Sequence, residues 1–308
     1  MPELAIEVDE DVFSRLRAFT CSRGLDLGTF VSEQLRAVAE DTVGVIMPAS
    51  AARPLLFMSR HGGRDQAAAM LATAGWYGFE RPMPLHFYAS ALSFPGLVLD
   101  VGANTGFYSL LAACASDQNR VLAFEPDESV LQGLRGNIAA NRLEDRITVS
   151  DLALSSRTGF ATLYVPTQEH GLIETSSSLE SAFKGVHSEL RQVQVDTLDN
   201  TLEKLSVGQQ SVSLLKVDVE GHEAAVLEGG ARTVARWRPI VFVEVLAGAD
   251  ASTLSRFIAE QGYLDVPLLS GTELVARGTV RFEAHAWNHA LVPQERISRF
   301  LTLAHSVL

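Results

Sequence analysis

The chain has 308 residues, 47% of them hydrophobic and 20% charged, with 23 Gly and 11 Pro. That is ordinary globular composition and excludes a fibre, a low-complexity chain or a disordered one. With 25 basic against 37 acidic residues, the net charge of −12 argues against broad charge-driven binding to nucleic acid or anionic membranes.

Residues 1–42 read as a compact unit. Leu4, Ile6 and Val8 alternate with Glu3, Ala5 and Glu7, as in a short half-buried strand. Val12, Phe13, Leu16 and Phe19 follow helical spacing up to Gly24, and Asp26 can cap a second helix with Phe30, Val31, Leu35 and Val38 on its apolar face. Strand, helix, turn, helix resembles a ribbon-helix-helix module, which pairs strands across a two-fold axis. Outward Glu3 and Glu7 would repel a DNA duplex, so the expected role is dimerisation.

Residues 43–96 read as a connector punctuated by Pro48, Pro54, Pro82, Pro84 and Pro95. Gln66 to Gly75 is Ala-rich and expected to be helical. Trp76 to Tyr88 gathers aromatics with Glu80, Arg81 and His86, as a loop over the main domain or a substrate lid would. The first residues are acidic where a signal peptide would be basic then apolar, and no apolar run approaches the ~20 residues a bilayer requires. Cys21 and Cys114 are far apart without a CxxC neighbour, which fits a reducing compartment. A cytoplasmic location is expected.

From Leu97 to the last residue, Leu308, strands and helices alternate: LVLDV, a helix over 107–115, RVLAFE, a helix over 128–141, then ITVSDLAL as one strand. Strands at 212–217 and 240–245 flank one helix around Glu223 to Arg236. After a helix at 252–261, residues 263–269 and 288–292 are set to pair as a closing hairpin, with Trp237 and Trp287 in the core. This alternation predicts an α/β fold with a parallel, doubly wound sheet.

The most informative segment is LVLDVGANTGFYS. An apolar strand runs into Asp100, Gly102, Asn104 and Gly106 and then a helix. Glycine serves where a backbone turns tightly or a ligand approaches it closely. Asn104 replaces the middle glycine of a dinucleotide fingerprint, and Asp100 suits a cationic amino-acid ligand better than a phosphate. Glu125 ends the next strand, where an acid can accept from a ribose diol. Together these residues describe S-adenosylmethionine better than NAD.

Four stretches in order resemble the FkbM family of S-adenosylmethionine-dependent methyltransferases: VLDVGANTGFYS, AFEPDESVLQGLRGNI with Asn141, VDTLD at 195–199, and LLKVDVEGHEAAVLEGG. The resemblance covers about residues 96–292 and leaves the N-terminal unit outside. It implies a class I, Rossmann-like, seven-stranded methyltransferase sheet whose last strand is antiparallel, with helices on both faces. It places Asp100, Gly102, Asn104 and Gly106 at the methionine part of the cofactor, Glu125 at the ribose, and Asp151 to Ala153 near the adenine.

Lys216, Asp218 and Glu220 alternate at the end of the fourth strand, on one side of it and at the edge where ligands sit. Such a trio can brace the strand end as a salt bridge and still serve chemistry. A hydroxyl acceptor needs a general base, for which Asp218, Glu220, His222 and Glu244 are the candidates, and Lys216 could orient the acceptor. Asp218 with Glu244 offers oxygen ligands that suit Mg²⁺, although no residue pattern calls for a metal. The remaining histidines lack metal-ligand spacing and are expected at the surface or satisfied within the core, and Thr175 to Ser178 could border the acceptor. The expected reaction is O-methylation of a sugar or secondary metabolite, by a homodimer that binds neither nucleic acid nor membrane. Rivals are an N-methyltransferase, a ribbon-helix-helix regulator that senses S-adenosylmethionine, and an NAD-dependent oxidoreductase.

Overall fold

Every position of Leu97–Val101 is buried, as in a strand covered on both faces. The computed structural model describes residues 80–166, 177–181, 187–205, 210–270 and 273–306, a hairpin at 42–45 and 55–58, and a few isolated positions before residue 72. Its elements in chain order are β1 (Thr42–Val45), β2 (Leu55–Met58), α1 (Met83–Ser93), β3 (Leu97–Val101), α2 (Phe107–Ala115), β4 (Arg120–Phe124), α3 (Glu128–Ala140) and β5 (Ile147–Ser150). There follow β6 (Ala153–Leu154), β7 (Gly159–Pro166), β8 (His187–Asp196), α4 (Leu198–Lys204), β9 (Val212–Val217), α5 (Glu223–Gly229) and α6 (Ala231–Trp237). The chain continues with β10 (Ile240–Glu244), α7 (Ala251–Gln261), β11 (Tyr263–Pro267), β12 (Asn288–Pro293) and α8 (Ile297–Ser306).

The main sheet runs β5-β4-β3-β9-β10-β12-β11. Strands β5, β4, β3, β9 and β10 pair in parallel, and β12 is antiparallel to both β10 and β11. This is the α/β class I methyltransferase sheet expected above, with its antiparallel last strand and closing hairpin. Alternating side chains feed two cores. Val98, Leu214, Ile240 and Phe242 pack with Phe87 of α1, Leu110 of α2, Leu134 of α3 and Phe300 of α8. Leu99, Leu215, Val241 and Leu291 pack on the other face with Leu227 of α5, Val234 of α6 and Ile258 of α7. Strand order reverses between β3 and β9, where such sheets open a crevice at their carboxyl edge.

Four local expectations are corrected. ITVSDLAL is two strands: β5 ends at Ser150, and β6 leaves the main sheet to pair with β8 beside β7. The helix expected at 223–236 breaks at Gly230. There Gly229 passes so close to β6 that a Cβ would lie 2.0 Å from the Ser155 carbonyl oxygen. The stretch read as loop or lid is helical from Met83, and Met83, Phe87, Tyr88 and Ala91 are buried in the sheet core. Trp287 is 54% exposed rather than packed; it precedes β12 at the carboxyl end of β10, where its carbonyl accepts from Val245 N.

The expected strand at Leu4 to Val8, with Glu3, Ala5 and Glu7, lies outside the described residues. Asp26 does cap as anticipated, its Oδ2 accepting from Thr29 N at 2.8 Å. No helix among the described residues is long and apolar enough to cross a membrane.

Candidate active site

The turn after β3 is built from left-handed residues: Gly102 at φ 73°, Asn104 at 51° and Gly106 at 94°. Gly102 is forced by proximity as well as angle, since a Cβ there would lie 1.8 Å from the Asp218 carbonyl oxygen. Asparagine tolerates left-handed backbone better than most residues, which explains how Asn104 stands in for a glycine. The exposed amides then find partners. Gly102 N and Ala103 N donate to the Phe124 carbonyl, and Asn104 N donates to Glu125 Oε2 at 2.9 Å.

An open cleft lies over this turn. Gly102, Asn104, Glu125, Ala153, Lys216, Asp218, Glu220, His222 and Glu244 all line it. Leu152, Leu154, Phe124, Leu163 and Leu179 supply the apolar wall on the β5 side, and Ser177 from the expected polar run borders it.

Asp100, Gly106 and Asp151 do not reach that wall. Asp100 sits fully buried in mid-sheet, opposite Lys216 in register. Its Oδ2 accepts from Ser109 Oγ at 2.6 Å, and its Oδ1 lies 3.7 Å from Lys216 Nζ. Gly106 precedes α2 and faces Leu134 of α3, so its task is packing. Asp151 is an exposed turn residue beside the cleft.

Lys216 is the hub of the acidic end. Its Nζ lies 3.1 Å from Asp218 Oδ2, donates to the Gly102 carbonyl at 3.2 Å and stands 4.9 Å over the Tyr108 ring. The Lys216–Asp218 pairing anticipated as a strand brace is present. Burial opposes the lysine's charge, but Asp218, Asp100 and Glu80 outweigh it and hold its pKa above the ordinary value. Carboxylate oxygens of Asp218, Glu220 and Glu244 lie within 4.8 Å of one another, a spacing that suits a hard cation. Burial first, then the charges of Asp218, Glu220, Glu223 and Glu80, push Glu244 up to about 10.

His222 is engaged on both ring nitrogens, with Ser155 Oγ at 2.8 Å from Nε2 and Glu180 Oε1 at 2.6 Å from Nδ1. Taking an acceptor proton would break one of these bonds. Glu223, the last acid of the EGHE run, is buried and accepts from Val219 N and Gly221 N, both at 3.1 Å. It thereby fixes the loop that carries Glu220.

Sequence reasoning missed Glu80, Tyr108, Ser155 and Glu180 as site residues. The available signal was the acid within the aromatic run at 76–88. Among the other histidines, His86 and His289 are buried. His289 pairs with Asp265 at 2.8 Å. His86, expected to be satisfied, has no hydrogen-bond partner among the described residues, and burial lowers its pKa to about 4, which keeps it neutral.

The buried acids set a pH dependence of stability. Burial raises Glu125 and Glu223 to about 7, against the pull of backbone amides, and raises Glu244 further. An acid with a raised folded-state pKa stabilises fully below its unfolded value near 4.5, and that stability is lost as pH climbs through the folded value. Melting scans of the ligand-free protein should therefore give a higher Tm at pH 5.5 than at pH 8.5. Glu244→Gln should flatten the decline, and an unchanged slope would contradict the assignment.

Comparison with known proteins identifies the family of the domain that carries this site. The family model for the methyltransferase FkbM domain matches residues 100–264, more than half of the chain. Methyltransferase sdnD of Sordaria araneosa is 30% identical over 154 residues, 43% of this chain, and the chain spans 59% of that relative's length. Among solved structures, an FkbM methyltransferase from Methylobacillus flagellatus is similar with a TM-score of 0.42 at 15% identity, covering 88% of this chain and 61% of that one. A SAM-dependent methyltransferase from Agrobacterium tumefaciens is similar with a TM-score of 0.42 at 10% identity, covering 82% of this chain and 69% of that one. The domain match spans the glycine turn, Glu125, the Lys216–Asp218 pair and Glu244 alike, and by it this chain belongs to the FkbM methyltransferase domain family.

Proposed function

We propose that this protein methylates a hydroxyl group on a sugar or secondary metabolite, with S-adenosylmethionine as donor. When bound, that donor supplies a methyl group on a sulfonium, an electrophile that needs no activation by the protein. The residues present fit it. Glu125 is held by the amides of Asn104 and Asp127, both at 2.9 Å, and each of its oxygens keeps a lone pair for a ribose hydroxyl. The apolar wall at Leu152–Leu154 suits an adenine ring, and the acidic end suits a cation.

The observation that carries the O-methyl reading is Asp218 on the cleft wall, ion-paired to a buried lysine. A hydroxyl must give up its proton as it attacks, whereas a neutral amine is nucleophilic as it stands. Asp218 takes that proton, Lys216 steadies the carboxylate, and Glu244, neutral at pH 7, donates a hydrogen bond that orients the acceptor. The test is incubation with methyl-labelled S-adenosylmethionine and matched panels of hydroxylated and amino metabolites. Label on oxygen supports the reading, and label on nitrogen alone replaces it. Cofactor binding without any transfer favours a sensor.

Residues 1–42 have too few apolar positions for a core of their own, which supports pairing between two copies. Light scattering should give a dimer for the full chain and a monomer once residues 1–42 are removed. A monomeric full chain would end the dimer proposal.

A further inference from the structure

The acid at the end of the first sheet strand is the residue expected to face the cationic amino-acid end of the donor. Here that acid, Asp100, is sealed in the sheet and held by Ser109 and Lys216. A different carboxylate occupies the wall. Glu80 enters from the stretch before α1, outside the matched domain, and lines the cleft beside Gly102, Tyr108 and Lys216. Its Oε2 accepts from the Tyr108 hydroxyl at 2.7 Å, which fixes the carboxylate and leaves Oε1 without a hydrogen bond among the described residues. Its backbone is held at φ 47°, a strained angle for glutamate that the surrounding structure must maintain.

We propose that Glu80 is the residue that binds the α-ammonium of S-adenosylmethionine and of its demethylated product. The inference rests on the cofactor reading above and on the order of groups along the sheet edge. Leu152–Leu154 follow β5, Glu125 follows β4, the glycine turn follows β3, and Glu80 with Tyr108 and Lys216 lies on the β9 side. A ligand with its ribose at Glu125 and its adenine toward β5 extends its amino-acid tail toward Glu80. Other acids at that end are less suited. Asp218 is taken up by Lys216 at 3.1 Å, and burial and neighbouring acids raise Glu80 to about 7 but Glu244 to about 10, so that at pH 7.5 Glu80 is mostly ionised while Glu244 is neutral.

The test is calorimetry at pH 7.5 with S-adenosylhomocysteine and with its analogue bearing hydrogen in place of the α-amino group. Wild-type protein should prefer the amino ligand. Glu80→Gln should weaken the amino ligand roughly ten- to a hundredfold, the range for a charge-assisted hydrogen bond. The analogue's affinity should not change, which also demonstrates an intact site. Glu80→Asp should keep part of the preference. Equal losses for both ligands, no loss, or no wild-type preference would each overturn the assignment. Failure of wild-type protein to bind S-adenosylhomocysteine at all would instead overturn the cofactor reading.

Discussion

Replacing Gly102 by alanine should destabilise the protein and disable the site together. The new methyl group would sit 1.8 Å from the Asp218 carbonyl oxygen, on backbone held at φ 73°. Backbone cannot swing aside as a flexible side chain can. Overpacking against it and the left-handed penalty together cost about 3 kcal/mol or more, a large share of a typical folding free energy. A fall in Tm of roughly 5–10 °C is expected. Relief requires β9 to move away from β3, which displaces Asp218, Val219 and Glu220 and with them Lys216. Turnover should fall further than stability alone explains. Gly248→Ala is the matched control, since its Cβ meets nothing within 4 Å, and its Tm should be unchanged.

Asp218→Asn should lower kcat by roughly a hundredfold or more, the usual contribution of a general base, while cofactor affinity stays within a few-fold of wild type. Asparagine keeps the shape and an oxygen for Lys216, so the loss isolates the proton acceptor. The neighbouring Glu244→Gln should behave differently. Burial and the surrounding carboxylates hold Glu244 neutral at pH 7, so a neutral amide mimics its resting form and kcat should fall only a few-fold. Steady-state kinetics at pH 7.5 with any acceptor that turns over separates the two. Equal losses from both substitutions would mean that the two acids share the proton.

These expectations show what a one-dimensional reading can reach. Alternation of apolar strands with amphipathic helices is local information, and it marked the sheet and most element boundaries. The glycine turn, Glu125 and the Lys216–Asp218 spacing were equally accessible, because each sits at a strand end where backbone direction fixes the side chain. Asp100 shows the limit. Its position at the mouth of the turn suggested ligand contact, but side-chain direction within a doubly covered sheet buried it opposite Lys216. Glu80, Ser155 and Glu180 were out of reach for a related reason. Glu80 meets Tyr108 across 28 residues, and Ser155 and Glu180 meet His222 across 67 and 42, with no periodicity linking them. The break at Gly230 and the departure of β6 also depend on neighbours brought in by the fold.

We read the crevice over the β3 turn as a sulfonium-nucleoside site. A crystal grown with S-adenosylhomocysteine tests it most directly. Both ribose hydroxyls are expected within hydrogen-bond distance of Glu125, and the adenine against Leu152–Leu154. An empty crevice at saturating ligand, or the nucleoside bound away from Glu125, would contradict it.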